Sequence, residues 1–183
     1  ALRFAPSSVP AAAPAKRQAP APLPVATRPA SDDDLAYAGI RTLASLLKTR
    51  KVSSVELTRL TLERLRRFDP LLKCVISRTE ELALEQARRA DRELAAGKWR
   101  GPLHGIPWAA KDLIAVPGYP TTWGSPIFRD QMRKEKATVA ARLEDAGAVL
   151  VAKTSVGELA WGDVWFGGMT RNPWKLDQGS SGS

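Results

Sequence analysis

Residues 138–153 begin as a helical pattern at Thr138, stop at Gly147 and pass at once into a β-branched run, VLVAK, at 149–153. A strand this apolar has to be covered on both faces, so the chain needs a sheet with helices laid against it. The same alternation recurs upstream. Ile40, Leu43, Leu46 and Leu47 form one helical stripe from about Ala36 onward. Ser53 and Glu56 make a capping box that opens a second helix, in which Leu57, Leu60, Leu65 and Phe68 recur until Asp69 and Pro70 end it. Residues 73–77 (KCVIS) read as a short strand, and 79–96 as a third helix closed by Gly97 in the left-handed conformation. An apolar stretch then ends near Ile114, and a Pro/Gly-rich loop runs to about Pro126. The expected class is α/β, with a mixed or mainly parallel central sheet flanked by helices.

Residues 1–34 are of another kind. They hold 7 of the 14 prolines and are crowded with alanine, a composition that favours extended, solvated chain over packing. The expectation is a disordered leader or linker at 1–34 ahead of a domain at 35–183. Ala1 in place of Met fits a processed start or a fragment end, so localisation stays open between an exported and a cytoplasmic protein. No run of eighteen apolar residues predicts a membrane span.

The 28 Lys/Arg and 19 Asp/Glu residues leave a net charge of +9, and 15 of the basic residues lie in 41–100 against 8 acidic ones. That stretch carries only Phe68 and Trp99 as aromatics and no nucleic-acid motif, so a solvated helical face is the reading preferred to a nucleic-acid surface. One cysteine, Cys74, and one histidine, His104, exclude an internal disulfide and cannot supply a zinc site; no metal or cofactor is expected. Any triad built on histidine would have to use His104.

Two features could carry chemistry. Lys111 interrupts an apolar run, IPWAA before it and LI after Asp112. Burial disfavours an ammonium, and a lysine acting as general base needs its pKa brought from about 10.4 towards 7. A lysine paired with Asp112, or snorkelling from a strand end, is the alternative. The second feature is the terminal GSSGS, in which small residues let backbone amides approach a reacting group and hydroxyls relay protons. A flexible loop or an engineered Gly/Ser tail would look similar. No Gly-Lys-Ser/Thr follows, so it is not a phosphate loop.

Together, and in this order, the blocks GPLHGIPWAAKDLIAVPGYPTTWGSP at 101–126, ATVAARLEDAGAVLVAKTSVGELAWG at 137–162 and GGMTRNPWKLDQGSSGS at 167–183 resemble the amidase-signature family of serine hydrolases. The A subunit of glutamyl-tRNA(Gln) amidotransferase shares these motifs. The resemblance implies an amidase that hydrolyses carboxylic amide C–N bonds with a serine, a cis-serine and a lysine. Lys111 falls on the family's catalytic lysine and Ser180 on its relay serine, with a cis peptide expected at Gly179–Ser180. Gln178 and Ser183 stand where the family loop usually has glycine. The nucleophilic serine and oxyanion amides are expected about two dozen residues past Ser180.

On that pattern Lys111, when neutral, accepts the Ser180 proton, and Ser180 deprotonates the nucleophile and later protonates the leaving amine. Ser181 and Gly179 are expected to orient the relay, and His104 to order the lysine loop as a turn residue. Thr154 and Trp161 are candidates for the substrate channel or for strand end and core. Trp161, Trp165 and Trp174 suit an acyl pocket or a core equally. The implied partner is a small-molecule amide. The alternatives are a glutamine-hydrolysing A subunit of a tRNA-dependent amidotransferase and a non-catalytic binding or scaffold protein.

Overall fold

The structure, a computed structural model, describes residues 21–182. Its elements run α1 (Asp32–Ala36), α2 (Ile40–Lys48), α3 (Ser54–Leu72), β1 (Val75–Arg78), α4 (Glu80–Ala95), β2 (Pro107–Lys111), α5 (Thr138–Asp145), β3 (Val149–Thr154), then β4 (Val164–Trp165), β5 (Gly168–Met169), β6 (Arg171–Asn172) and β7 (Lys175–Gly179). Short 3-10 turns lie at Pro126–Phe128 and Glu158–Ala160. No helix among the described residues is long and apolar enough to cross a membrane.

The central sheet has the order β1-β3-β2, with β1 antiparallel and β2 parallel to β3. This is the mixed α/β architecture that the alternation predicts. The strand β3 is central and buried along its length up to Lys153. Its side chains alternate. Val149 and Val151 pack on Leu62 of α3 and on Ala83 and Ala87 of α4, whereas Leu150 meets Ala110, Val116 and Ala140 of α5. Polar contacts tie the helices to the strand as well: Leu150 N–H donates to Gln86 Oε1 at 2.8 Å, and the Thr79 hydroxyl donates to the Leu150 carbonyl at 2.7 Å.

The second helix of the sequence reading, α3, starts as its capping box requires, with the Ser53 hydroxyl accepting the Glu56 N–H. It does not stop at Pro70. The proline sits inside the last turn, and the helix runs to Leu72 before Lys73 turns left-handed at φ 51°. Asp69 explains the overrun, because its carboxylate accepts the N–H groups of Cys74 and Val75, both at 2.9 Å, and so caps the chain beyond the proline. The stripe of the first predicted helix is also narrower than its spacing suggests: Leu46 and Leu47 are buried, while Ile40 is exposed.

Of the expected leader, residues 1–20 lie outside those described, and 21–34 are mostly exposed but anchored to the domain at a few points. Ala26 joins a core cluster with Leu35, Leu46, Leu47 and Leu57. Lys51 Nζ donates to the Ala26 carbonyl at 2.6 Å, and Arg28 bridges Asp32 at 2.8 Å and Glu56 at 2.9 Å. Proline-rich composition removes helix and ladder donors but leaves every carbonyl free to accept, and basic side chains of the domain use them.

Candidate active site

Lys111 is the last residue of β2 and pairs in register with Thr154, the last residue of β3. Exposure alternates along β2: Ala109 is exposed, Ala110 buried, Lys111 half-buried and Asp112 buried. Lys111 and Asp112 therefore lie on opposite faces of the strand end.

The carboxylate beside Lys111 belongs to a different lysine. Lys153 Nζ lies 2.6 Å from Asp112 Oδ1, and both side chains are completely buried. This corrects the expectation that Lys111 is the desolvated lysine, and excludes its pairing with Asp112. A register shift decides the matter: between Trp108 and Ala109 the ladder skips Val151, so Lys153 pairs with Ala110 and shares its face rather than that of Val149 and Val151. Burial pushes the Lys153 ammonium below its ordinary value, and Asp112 opposes that shift. The rest of the ammonium's coordination comes from the Thr121 hydroxyl at 2.8 Å and the Pro120 carbonyl. Asp112 Oδ2 in turn accepts the Thr122 N–H at 2.8 Å and the Thr122 hydroxyl. A lysine closing a β-branched strand, followed by threonine, is the available sequence signal for Lys153, but spacing alone does not say which of two lysines points inward.

The pair thus clasps the Pro/Gly-rich loop, and that loop grips the segment leading towards Ser180. Leu159 N–H donates to Trp123 O at 2.8 Å, Phe166 N–H to Gly124 O at 3.1 Å, and the Ser125 hydroxyl to Glu158 at 2.8 Å. Gly124 has φ +71°, and a Cβ there would lie 2.1 Å from the Val156 carbonyl oxygen, so no other residue fits without a shift.

Ser180 follows directly on the β6–β7 ladder. Its N–H donates to the Thr170 carbonyl at 2.8 Å, and its exposed hydroxyl donates to Gly182 O at 3.0 Å. The Ser181 N–H donates to Asp163 Oδ2 at 3.1 Å, and Gly179 is pressed so closely on the same carboxylate that a Cβ would lie 1.8 Å from Oδ2. Among the described residues every peptide bond is trans, including Gly179–Ser180, in place of the cis bond expected there. Among the described contacts no hydrogen bond joins Lys111 to Ser180. They are linked instead through Thr154, the register partner of Lys111, then Ser155, whose hydroxyl lies 2.6 Å from that of Thr170, and then the Thr170 carbonyl.

His104 is fully buried, as a turn residue just ahead of β2. Its Nδ1 accepts the Arg100 N–H at 3.2 Å, and Nε2 lies 3.2 Å from Glu93, off hydrogen-bonding geometry. Burial pushes the imidazole below its ordinary value. Glu93, bound by Arg100, is brought down to about 2. The tryptophans separate. Trp165 is half-buried and donates to the Lys73 carbonyl at 3.1 Å, whereas Trp161 and Trp174 are exposed in this chain and belong to no core.

The amidase family model matches residues 56–183. The A subunit of a glutamyl-tRNA(Gln) amidotransferase from Marinomonas sp. (strain MWYL1) is 44% identical over 147 residues, covering 79% of this chain and 30% of that protein. A putative amidase, AmiD, of Mycobacterium tuberculosis (strain ATCC 25618 / H37Rv) is 41% identical over 130 residues, covering 71% of this chain and 27% of the relative. Among solved structures, the native peptide amidase from Stenotrophomonas maltophilia superposes with a TM-score of 0.70 at 35% identity, over 77% of this chain and 31% of that one. A bacterial aryl acylamidase of the amidase-signature family gives 0.75 at 26% identity, over 80% and 31%. The chain spans about 30% of the length of the relatives it matches. With the family model covering most of its length, this chain belongs to the amidase family, the amidase-signature enzymes.

Proposed function

We propose that this chain is the N-terminal part of an enzyme that hydrolyses small-molecule amides, and that it contributes the lysine base, Lys111, and the relay serine, Ser180. The observation that carries the reading is the contact path Lys111–Thr154/Ser155–Thr170–Ser180, which connects the two family motifs across a long stretch of sequence. Neutral Lys111 accepts the Ser180 hydroxyl proton, and Ser180 accepts the proton of a nucleophilic serine as that oxygen bonds to the amide carbon. When the C–N bond breaks, the proton travels back to the departing nitrogen. Ser181 and Gly179 set the loop's path against Asp163. Residues from about 35 onward form this part of the amidase domain.

The test uses the full-length protein with aryl amides, peptide amides and glutamine as substrates. Lys111→Ala and Ser180→Ala each abolish turnover on this reading; turnover that survives both removes it. A second reading, the glutamine-hydrolysing component of an amidotransferase, draws on the 44% identity to the Marinomonas protein. Turnover confined to glutamine selects it over a free-standing amidase.

A further inference from the structure

We propose that the buried Lys153–Asp112 pair is the positioning device of this site, setting where Lys111 stands relative to Ser180. The inference rests on the assignment of Lys111 and Ser180 as base and relay. Asp112 directly follows Lys111 and Lys153 directly precedes Thr154, so the ion pair locks the two strand ends on the face opposite the one that carries Lys111. The same two side chains hold Pro120, Thr121 and Thr122. Through that loop, Trp123 and Gly124 hold the backbone of Leu159 and Phe166. Asp163, between those two, accepts the Ser181 N–H with its carboxylate and the Thr170 N–H with its carbonyl at 2.9 Å. One buried pair therefore governs both arms of the site: it fixes the strand end that presents Lys111 and the scaffold that presents Ser180. A pair of hydrophobic residues could fill this volume, but it could not grip two strands and a loop with directed bonds. Lys153 and Asp112 touch no substrate on this view and act only through the groups they hold.

The experiment compares the full-length protein with its Asp112→Asn/Lys153→Met double variant, which removes both charges together and leaves none buried alone. In the folded double variant kcat falls by about 10²-fold, the size expected for a displacement of roughly 1 Å at a reacting group, while KM changes little and the alkaline limb of the kcat–pH profile moves. A merely structural pair would lower the melting temperature and leave the kcat and pH profile of the folded enzyme untouched, and that result overturns the proposal. Thr121→Val, which removes one bond to Lys153 and no charge, decides the case in which the double variant does not fold. It produces a smaller drop of the same kind, and an unchanged kcat and profile overturn the proposal equally. Lys111→Ala separates the two levels. Full activity in that variant defeats the base assignment, whereas an inactive Lys111→Ala beside a normal double variant defeats only the positioning role.

Discussion

The Thr170 carbonyl accepts the Ser180 N–H at 2.8 Å, and the Thr170 hydroxyl is at the same time shared with Ser155 at 2.6 Å and with the Lys73 carbonyl at 3.1 Å. Ser180 thus hangs from a residue whose other contacts reach the ends of α3 and β3. Thr170→Val keeps the shape and the carbonyl but loses both hydroxyl contacts. In the full-length enzyme kcat falls by about tenfold, equivalent to ~1.4 kcal/mol in the barrier, with little change in KM. Steady-state kinetics check this, and an unaltered kcat would show that the hydroxyl bridge does not hold Ser180.

Lys111→Arg tests whether the residue works as a base. Guanidinium keeps a positive charge and cannot be deprotonated in a protein, so the variant rescues little of the activity lost in Lys111→Ala. Near-normal turnover by the Arg variant would reassign Lys111 to an electrostatic role.

How much of this is legible in the sequence varies by element. The capping box at Ser53 and Glu56, the glycine stops and the β-branched run at 149–153 are local signals, and each corresponds to an observed boundary or strand. Pro70 misleads because its local meaning is overridden by a tertiary one, the Asp69 carboxylate capping Cys74 and Val75. The inward lysine escapes sequence reasoning for a related reason. Which of Lys111 and Lys153 is buried depends on the register between two strands far apart in the chain, and no periodicity within either strand contains it. The anchor points of residues 21–34, Ala26 and Arg28, are hidden because composition reports what a segment cannot form, and says nothing of the surface it meets.

Removing one member of the buried pair leaves a charge without compensation. Lys153→Met strands Asp112 and costs about 3–5 kcal/mol, whereas Asp112→Asn/Lys153→Met costs less than the sum of the singles. Urea denaturation of the four proteins in the cycle measures the coupling, and additive losses would show that the two charges do not depend on each other.

Acid stability follows from Glu93 and His104. The folded-state value of Glu93, lowered to about 2 from an ordinary 4.5, contributes stability that is fully present above 4.5 and is lost as pH falls towards 2. His104 is shifted below its ordinary 6.5, so the unfolded chain takes up its proton first and the loss begins under pH 6.5. The urea midpoint declines over both windows. Glu93→Gln removes the lower part of that decline, and a midpoint with the same pH slope in the variant would count against the assignment.

Two glycines separate conformational strain from collision. Gly118→Ala, with φ +88° and open space around it, loses about 1 kcal/mol from the left-handed backbone alone. Gly124→Ala adds a clash with the Val156 carbonyl and costs clearly more. Equal melting temperatures for the two variants would mean that the loop can give way at Gly124.

The order β1-β3-β2 also has a temporal side. Among the described residues both outer strands pair only with β3, which is the last of the three to be made. On the ribosome, β1 and β2 remain without a ladder until Thr154 has emerged, while α3 and α4 can already form from local contacts. While the intervening segments are made, the nascent chain therefore carries two strands whose shared partner, residues 149–154, has yet to emerge.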